Sequence, residues 1–169
     1  MSAALGIGRE RVSVKIIHLN ENDVVLLQSI NAMFCEVFDD EVSYSSNKPS
    51  SSYLQALLGT TNFIALAAVD GEKVVGAIAA YELKKFEQER SEIYIYDLAV
   101  ISTFRRKGVA TALIQKLKAV GAARGAYLIY VQADKGVEDQ PAIELYSKLG
   151  TIEDVFHFDI AVEDEIKDA

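Results

Sequence analysis

The segment 105–111 combines three cations with a glycine and small residues, in the order Arg105-Arg106-Lys107-Gly108-Val109-Ala110-Thr111. It follows a strand pattern and opens a helical one, and the first turn of a helix offers free N–H groups at its positive dipole end. Gly108 lets an anion approach the backbone without a Cβ in the way. Cations at this end oppose the helix dipole, which indicates an anionic ligand. The spacing [Arg/Gln]-x-x-Gly-x-[Gly/Ala] therefore predicts a pyrophosphate cradle; the alternative is a basic helix start after an ordinary turn.

A lone carboxylate, Asp97, interrupts the apolar and aromatic run at 93–100. A buried carboxylate in a strand needs a partner or a function, so Asp97 is a candidate for chemistry. The structural alternative is a carboxylate that accepts hydrogen bonds from backbone amides. The formal net charge of −8 disfavours nucleic acid as a partner and suits a cationic ligand.

Cys35, His18 and His157 are the only cysteine and histidines of the chain. One thiol cannot form an internal disulfide, and no histidine stands in a nucleophile motif, so we interpret Cys35 as a buried side chain on a helix. His157 is interpreted as a structural strand residue. Zinc usually requires several Cys or His ligands, so we expect no metal. No apolar run has the length of a membrane span and no signal peptide is apparent, so we expect a cytoplasmic protein without a membrane partner.

Hydrophobic periodicity predicts the elements that must position these residues. Strands are expected at 12–18, 63–69, 74–83, 92–100 and 127–133, with one or two closing strands within 151–160. Helices are expected at 24–38, 50–58, 108–124 and 141–149. This order predicts an α/β protein with one mixed sheet and helices on both faces. We expect a flexible tail at 1–10, a single domain at 11–162 and a frayed C-terminus at 163–169.

Several longer runs carry a resemblance to a known family. They are Asn62-Phe-Ile-Ala-Leu-Ala-Ala, Lys85-Phe-Glu-Gln, Arg90-Ser-Glu-Ile-Tyr-Ile-Tyr-Asp-Leu-Ala-Val, Gly125-Ala-Tyr, Ile129-Tyr-Val-Gln-Ala-Asp, Leu145-Tyr-Ser-Lys-Leu-Gly and His157-Phe-Asp-Ile. Together with the cradle motif, the chain resembles the GCN5-related N-acetyltransferase superfamily. Within it, the chain is most similar to the class I aminoglycoside 3-N-acetyltransferases, the gentamicin acetyltransferases. The resemblance covers about residues 34–160.

The resemblance implies a mixed sheet whose two central strands splay apart, with acetyl-coenzyme A (acetyl-CoA) as cofactor and coenzyme A as product. The pantetheine arm is expected in the splay, hydrogen-bonded to the backbone of Leu98 and Val100. A backbone N–H near Leu98 or Ala99 is expected to hold the oxyanion. The pyrophosphate is expected on the amides of 106–111, and the cations at 105–107 could contact the 3′-phosphate.

Acyl transfer to an amine requires removal of a proton, stabilisation of an oxyanion and protonation of the leaving thiolate. The resemblance places Asp97 at the acceptor site, where it either takes the proton or anchors the cationic substrate while water carries the proton. An unperturbed Asp has a pKa near ~3.9, which is low for a base, but burial could raise it. The resemblance places Tyr146 beside the thioester sulfur, where a phenol with a pKa near ~10 can lend a proton. The alternative for Tyr146 is a core tyrosine with its hydroxyl at the surface.

The acceptor implied by the resemblance is the 3-amino group of an aminoglycoside, acetylated by direct transfer in a ternary complex. Such antibiotics carry several ammonium groups, and each gains from a nearby carboxylate. The acidic candidates for that cleft are Asp39, Asp40, Glu41, Asp134, Glu138 and Asp139. Tyr44 and Tyr96 could pack against sugar rings. The alternative for each acid is solvated loop charge.

Two other functions remain open at this stage. One is an acetyltransferase that acts on another polyamine or on a protein amine. The other is a non-catalytic acyl-CoA-binding sensor, although a sensor has no use for the proton chemistry of Asp97 and Tyr146. Class I relatives also suggest a homodimer and a role in antibiotic resistance.

Overall fold

The computed structural model describes residues 14–162. They form the strands β1 (Lys15–His18), β2 (Phe63–Asp70), β3 (Lys73–Lys84), β4 (Ser91–Val100) and β5 (Ala126–Val131). The helices are α1 (Val24–Phe38), α2 (Glu41–Tyr44), α3 (Ser51–Leu58), α4 (Val109–Arg124) and α5 (Gln140–Leu149), with a short 3-10 helix at Ser102–Phe104. The tail predicted at 1–10 and the terminus at 163–169 lie outside the described residues. The chain divides after Gln132 into two compact units.

All five strands belong to the first unit and form one sheet in the order β1-β2-β3-β4-β5. The first four strands pair antiparallel with their neighbours in sequence, whereas β5 pairs parallel with β4. A parallel neighbour requires a crossover connection, and α4 supplies it. The predicted mixed sheet is confirmed.

The middle of the sheet is buried from both sides. Residues 63–69 of β2 are buried without interruption, a pattern that a strand shows when helices cover both of its faces. Helix α1 contributes Ile30 and Phe34 to the core, and α4 contributes Leu113 and Leu117, each with at most 1% of its surface exposed. These helices therefore fix the sheet that carries the candidate site.

Helix α4 is anchored to the sheet at its C-terminal end. Arg124 Nη1 lies 3.2 Å from Glu82 Oε2 on β3 and donates a hydrogen bond of 2.6 Å to the Thr61 carbonyl. Gly121 packs so closely on β4 that a Cβ there would lie 2.9 Å from Ile93 Cδ1. The helix start is thereby held at a defined place beyond the end of β4.

The second unit contains α5, which begins with Pro141 in its first turn as the sequence predicts. The closing strands predicted within 151–160 are wrong, because the structure has no strand there. Ile152, Phe156 and Ile160 are 84–90% exposed. A strand needs backbone partners along an edge, and α5 is the sole regular element described in this unit. Across residues 14–162, no helix is both long and apolar enough to span a membrane.

Candidate active site

The cradle is built where β4 ends and α4 begins. Gly108 is the N-cap of α4 with φ 84°, in the left-handed region that glycine tolerates. A Cβ placed on Gly108 would meet no atom of the described residues within 4 Å, apart from its chain neighbours and its own helix, so the space beside Gly108 is open. The first turn of α4 contains no acidic residue, and Gly108 has no side chain that could cap it. The start of this 16-residue helix thus has no side-chain cap and has open space beside Gly108, which suits a phosphate group.

The three cations of the cradle have different surroundings. Arg105 Nε donates a hydrogen bond of 3.0 Å to the Val100 carbonyl, so Arg105 braces the loop against the end of β4. Lys107 Nζ lies 5.2 Å from the centre of the Phe104 ring. Arg106 has φ 62°, a left-handed conformation that costs a non-glycine residue about 1–2 kcal/mol. The backbone of this loop is therefore held in a conformation that costs energy, which is not needed merely to turn the chain at a surface.

The open edge of β4 lies next to the cradle. β4 pairs with β5 only from Ser91 to Ile95, and the pairing does not continue over 96–100. On its other side β4 remains paired with β3 as far as Val100, opposite Gly76. The two parallel strands thus separate in the manner that the resemblance implies. The separation leaves the backbone of Leu98, Ala99 and Val100 on an edge without a neighbouring strand among the residues described.

A β-bulge decides which way Asp97 faces. Ile95 is paired with Ala80 but Asp97 with Ala79, which leaves Tyr96 as an extra residue in β4. In a regular strand Tyr94 and Asp97 would face opposite sides. The bulge brings Asp97 to the face of the sheet that carries Tyr94 and Tyr81, away from Ile93 and α4.

Asp97 is half-buried, and its carboxylate accepts one hydrogen bond from a side chain of the described residues. The Tyr44 hydroxyl donates to Asp97 Oδ2 at 2.9 Å. Burial raises the pKa of Asp97, and the bond from Tyr44 lowers it to a smaller extent. No cation lies within ion-pair distance of this carboxylate in the described part of the chain. A half-buried carboxylate without a counter-cation is chemically suited to a cationic group.

A cavity of about 300 Å³ opens in front of Asp97. Its lining is mostly apolar and aromatic and comes from α1 to β4, and Asp97 is the one charged side chain that residues 14–162 contribute to it. Tyr53, Tyr81 and Tyr96 contribute aromatic rings. Tyr96 is 62% exposed and makes edge contacts with Tyr81 and Tyr94, whose ring centres lie 6.0 and 5.9 Å away. The cavity is suited to a ligand with apolar ring faces and an ammonium group.

The acids at 39–41 have structural tasks. Asp39 caps α1 with φ 53°, and Asp40 Oδ1 accepts a hydrogen bond of 2.9 Å from the Ser43 amide at the start of α2. Hydrogen bonds from Ser43 lower the pKa of Asp40. Glu41 lies in the first turn of α2, where a negative charge favours the helix. The sequence predicts only a loop here, because a four-residue helix has no detectable periodicity.

In the second unit, Tyr146 lies on α5 and is half-buried. Burial, and then the charge of Asp139, raise the pKa of Tyr146 to about 12. Asp139 Oδ2 accepts a hydrogen bond of 2.9 Å from the Asp134 amide, so Asp139 shapes the loop that begins at Asp134. Glu138 is exposed in the same loop. The phenol of Tyr146 remains protonated at neutral pH, as a proton donor must.

The structure also bears on the cysteine and the histidine that the sequence singled out. Cys35 lies on α1 as predicted, but it is only half-buried. His157 lies in a segment without a strand, where its Nε2 is 3.0 Å from Asp159 Oδ1, so its interpretation as a strand residue is wrong. No group of three or more metal-ligating side chains is found within 14–162. The link from Tyr44 to Asp97 was not predicted, because it joins residues 53 positions apart.

Comparison with known protein families identifies the class of protein to which this fold and this open helix start belong. The family model described as acetyltransferase (GNAT) family matches residues 29–151. The chain belongs to this family.

Solved structures place it nearer to one branch. An aminoglycoside acetyltransferase from an uncultured soil metagenomic sample is 58% identical with a TM-score of 0.88, and the match covers 89% of this chain and 99% of that one. A second, from an uncultured soil metagenomic sample and solved in complex with sisomicin, is 31% identical with a TM-score of 0.81. That match covers 89% of this chain and 97% of the other.

Another relative is not an aminoglycoside acetyltransferase. An N-alpha-acetyltransferase from Sulfurisphaera tokodaii is 36% identical over 92 residues. The match spans 50% of this chain and 53% of that protein.

Proposed function

We propose that the protein acetylates the 3-amino group of aminoglycosides, with acetyl-CoA as donor and by direct transfer in a ternary complex. The observation that carries the proposal is the half-buried Asp97, which has no counter-cation among the described residues and borders an aromatic cavity. An aminoglycoside offers both an ammonium group and apolar ring faces. The similarity to two aminoglycoside acetyltransferases supports this choice of acceptor.

The residues present fit acetyl-CoA as the donor. The open helix start at Gly108 suits the pyrophosphate, with the amides of 106–111 as its contacts. The open edge of β4 at Leu98 and Val100 suits the amide groups of a pantetheine arm. When bound, the coenzyme supplies an acetyl thioester. Arg106 and Lys107 are the cradle cations suited to its phosphates, whereas the side chain of Arg105 braces the loop.

Asp97 and Tyr146 have separate tasks in this proposal. Asp97 holds the acceptor ammonium and receives or relays its proton, a task helped by the burial that raises its pKa. Tyr146 supplies a proton to the leaving thiolate, and its pKa of about 12 keeps that proton available at any physiological pH. No acyl-enzyme is formed, so Cys35→Ala is expected to retain full activity.

The acids Asp39, Asp40, Asp134, Glu138 and Asp139 supply the negative potential that attracts a polycation. Tyr96 packs against a sugar ring from its exposed position at the bulge. As in the class I enzymes that the chain resembles, we propose a homodimer, which the molar mass in solution tests.

One assay separates the candidate functions. Release of free thiol from acetyl-CoA is measured with gentamicin, spermidine and a lysine peptide as acceptors. We expect release with gentamicin and a product acetylated at the 3-amino group by NMR. Release only with spermidine or the peptide contradicts the aminoglycoside proposal. Absence of release with every amine, despite binding of acetyl-CoA, supports the sensor.

The N-alpha-acetyltransferase similarity supports a second candidate acceptor, the α-amino group of a protein. Its match spans about half of each chain, whereas the aminoglycoside acetyltransferase structures match almost their whole length. Peptides with free α-amino groups therefore belong in the same assay. Faster turnover of such a peptide than of gentamicin reverses the order of the two candidates.

A further inference from the structure

Tyr44 is held in place from two sides. Its ring packs against Phe34 and Phe38 of α1, with ring centres 5.9 Å away in each case, and those two rings stack on each other at 5.5 Å. The short helix α2 that carries Tyr44 is capped by Asp40. The tyrosine ring is thus part of a packed aromatic cluster on α1 and is poorly placed to serve as a platform for a sugar.

The hydroxyl of Tyr44 is the part of the side chain that reaches the site. It donates to Asp97 Oδ2 at 2.9 Å, and both residues line the cavity. This bond occupies one oxygen of the carboxylate and limits its rotation. The other oxygen, Oδ1, accepts no side-chain hydrogen bond from the residues that the structure describes. A fixed carboxylate with one free oxygen can meet an ammonium group in a single geometry.

We propose that Tyr44 is a positioning residue, which orients the Asp97 carboxylate through its hydroxyl so that one defined oxygen receives the acceptor ammonium. The role of the carboxylate as the ammonium partner rests on the proposed function. The hydrogen bond itself does not, and it can be tested without any substrate. In this role Tyr44 acts through its hydroxyl, whereas the sequence suggested that its ring packs against a sugar.

The other groups that face Asp97 are neutral. Tyr53 from α3, Tyr81 from β3 and Tyr96 from β4 line the same cavity, and α1 contributes the uncharged Asn31. The nearby acid Asp40 acts on the Tyr44 hydroxyl. Titration of Asp97 is therefore governed by burial, which raises its pKa, and by the Tyr44 bond, which lowers it. Loss of the bond leaves burial unopposed and must move the titration to higher pH.

The decisive test is a 13C NMR titration of the Asp97 carboxyl in the full-length protein without substrate. Tyr44→Phe keeps the ring and its packing on α1 but removes the hydroxyl. We expect the Asp97 midpoint in this variant to move to higher pH. Tyr127→Phe is the matched control, since it removes a tyrosine hydroxyl that donates to the carboxylate of Glu92 at the other end of β4. An unchanged Asp97 midpoint in Tyr44→Phe overturns the inference, and so does an equal displacement in the control.

Kinetics then test the effect on the reaction. A hydrogen bond to a charged group is worth enough that Tyr44→Phe should lower kcat/KM for gentamicin by about tenfold, with its acidic limb displaced to higher pH. Affinity for acetyl-CoA should not change, and thermal denaturation shows whether the variant is folded. A wild-type enzyme that acetylates no aminoglycoside sinks the proposed function while the NMR result still decides the bond. A normal kcat/KM in a variant whose midpoint has moved overturns the positioning role.

Discussion

At the scale of single residues, Asp97 lies in an environment that disfavours the charge of its carboxylate. Burial disfavours its ionised form, one tyrosine hydroxyl compensates in part, and no ion-pair partner lies among the residues described. Such a site stores a cost in the free protein that a cationic ligand can relieve. Proteins commonly trade stability for function in this way.

Asp97→Asn is expected to stabilise the protein at neutral pH while greatly reducing activity. The folded-state pKa of Asp97 is raised above its ordinary value of 3.8, so ionisation favours the unfolded state as pH rises through and above that value. Asn lacks this penalty, and we expect a melting temperature higher by about 2–4 °C at pH 7. The difference should disappear below about pH 3, where the carboxyl is protonated in both the folded and the unfolded state. A lower melting temperature at pH 7 would show that the carboxylate is structural.

Tyr146→Phe is expected to lower kcat by about a hundredfold, the usual contribution of a general acid, and to leave the affinity for coenzyme A unchanged. Because the pKa of Tyr146 is raised to about 12, its ionisation should cause no loss of activity up to about pH 10. Turnover as a function of pH, together with calorimetric binding of coenzyme A, checks both statements. A weakened coenzyme with normal kcat would make Tyr146 a binding residue instead.

At the scale of elements, α4 has a left-handed glycine at each end. Gly108 has φ 84° and Gly125 has φ 81°, and a Cβ on either would meet no atom of the described residues within 4 Å, apart from its chain neighbours and its own helix. Their structural requirements are thus nearly identical. They differ in that Gly108 belongs to the cradle, whereas Gly125 lies at the opposite end of the helix.

This symmetry provides a matched pair of variants. Gly108→Ala and Gly125→Ala should each destabilise the protein by about 1–2 kcal/mol, the cost of placing a Cβ in the left-handed region. Only Gly108→Ala should weaken coenzyme A binding, by about tenfold or more, because only there would the added methyl group meet a phosphate. Calorimetry and denaturant titration give the two quantities. Equal affinities of the two variants for coenzyme A would show that Gly108 is not part of the phosphate site.

The elements were largely predictable from sequence because their signals are local. The apolar periodicity of α1 and of α4 is contained within each helical segment. The bulge at Tyr96 was not predictable, because an extra residue is defined only by pairing with β3. Strands were expected at 151–160 because apolar residues alternate there, yet alternation cannot supply the neighbouring edge that a strand requires.

In the candidate site, too, the residues with a local sequence signal were predictable and the tertiary contacts were not. Gly108 and Asp97 are conspicuous within their own segments, so the sequence indicated both. The hydroxyl that binds Asp97 comes from α2, a helix too short to be detected. The position of this hydroxyl depends on the packing of Tyr44 against Phe34 and Phe38, which is a tertiary property.

At the scale of the whole molecule, the formal net charge of −8 should accelerate encounter with a polycation. We expect kcat/KM for gentamicin to fall by about threefold to tenfold as ionic strength rises from about 20 to about 300 mM, since the Debye length shortens accordingly. At saturating substrate, kcat should change little. A monovalent amine acceptor serves as the control, because its encounter rate depends less on the field. Equal salt dependence for both acceptors would show that the charge serves solubility alone.

The cavity and the cradle occupy successive stretches of the chain. The residues that line the cavity run from Leu27 to Asp97, whereas the open β4 edge and the helix start come from Leu98 onwards. Recombination between related genes near this boundary would exchange the acceptor cavity as one segment and leave the donor machinery intact. The order of the two sites along the chain thus makes the acceptor cavity separately heritable. A chimera joined between Asp97 and Leu98 should take from its N-terminal parent the part of acceptor preference that the cavity sets, and from its other parent the loop acids Asp134, Glu138 and Asp139.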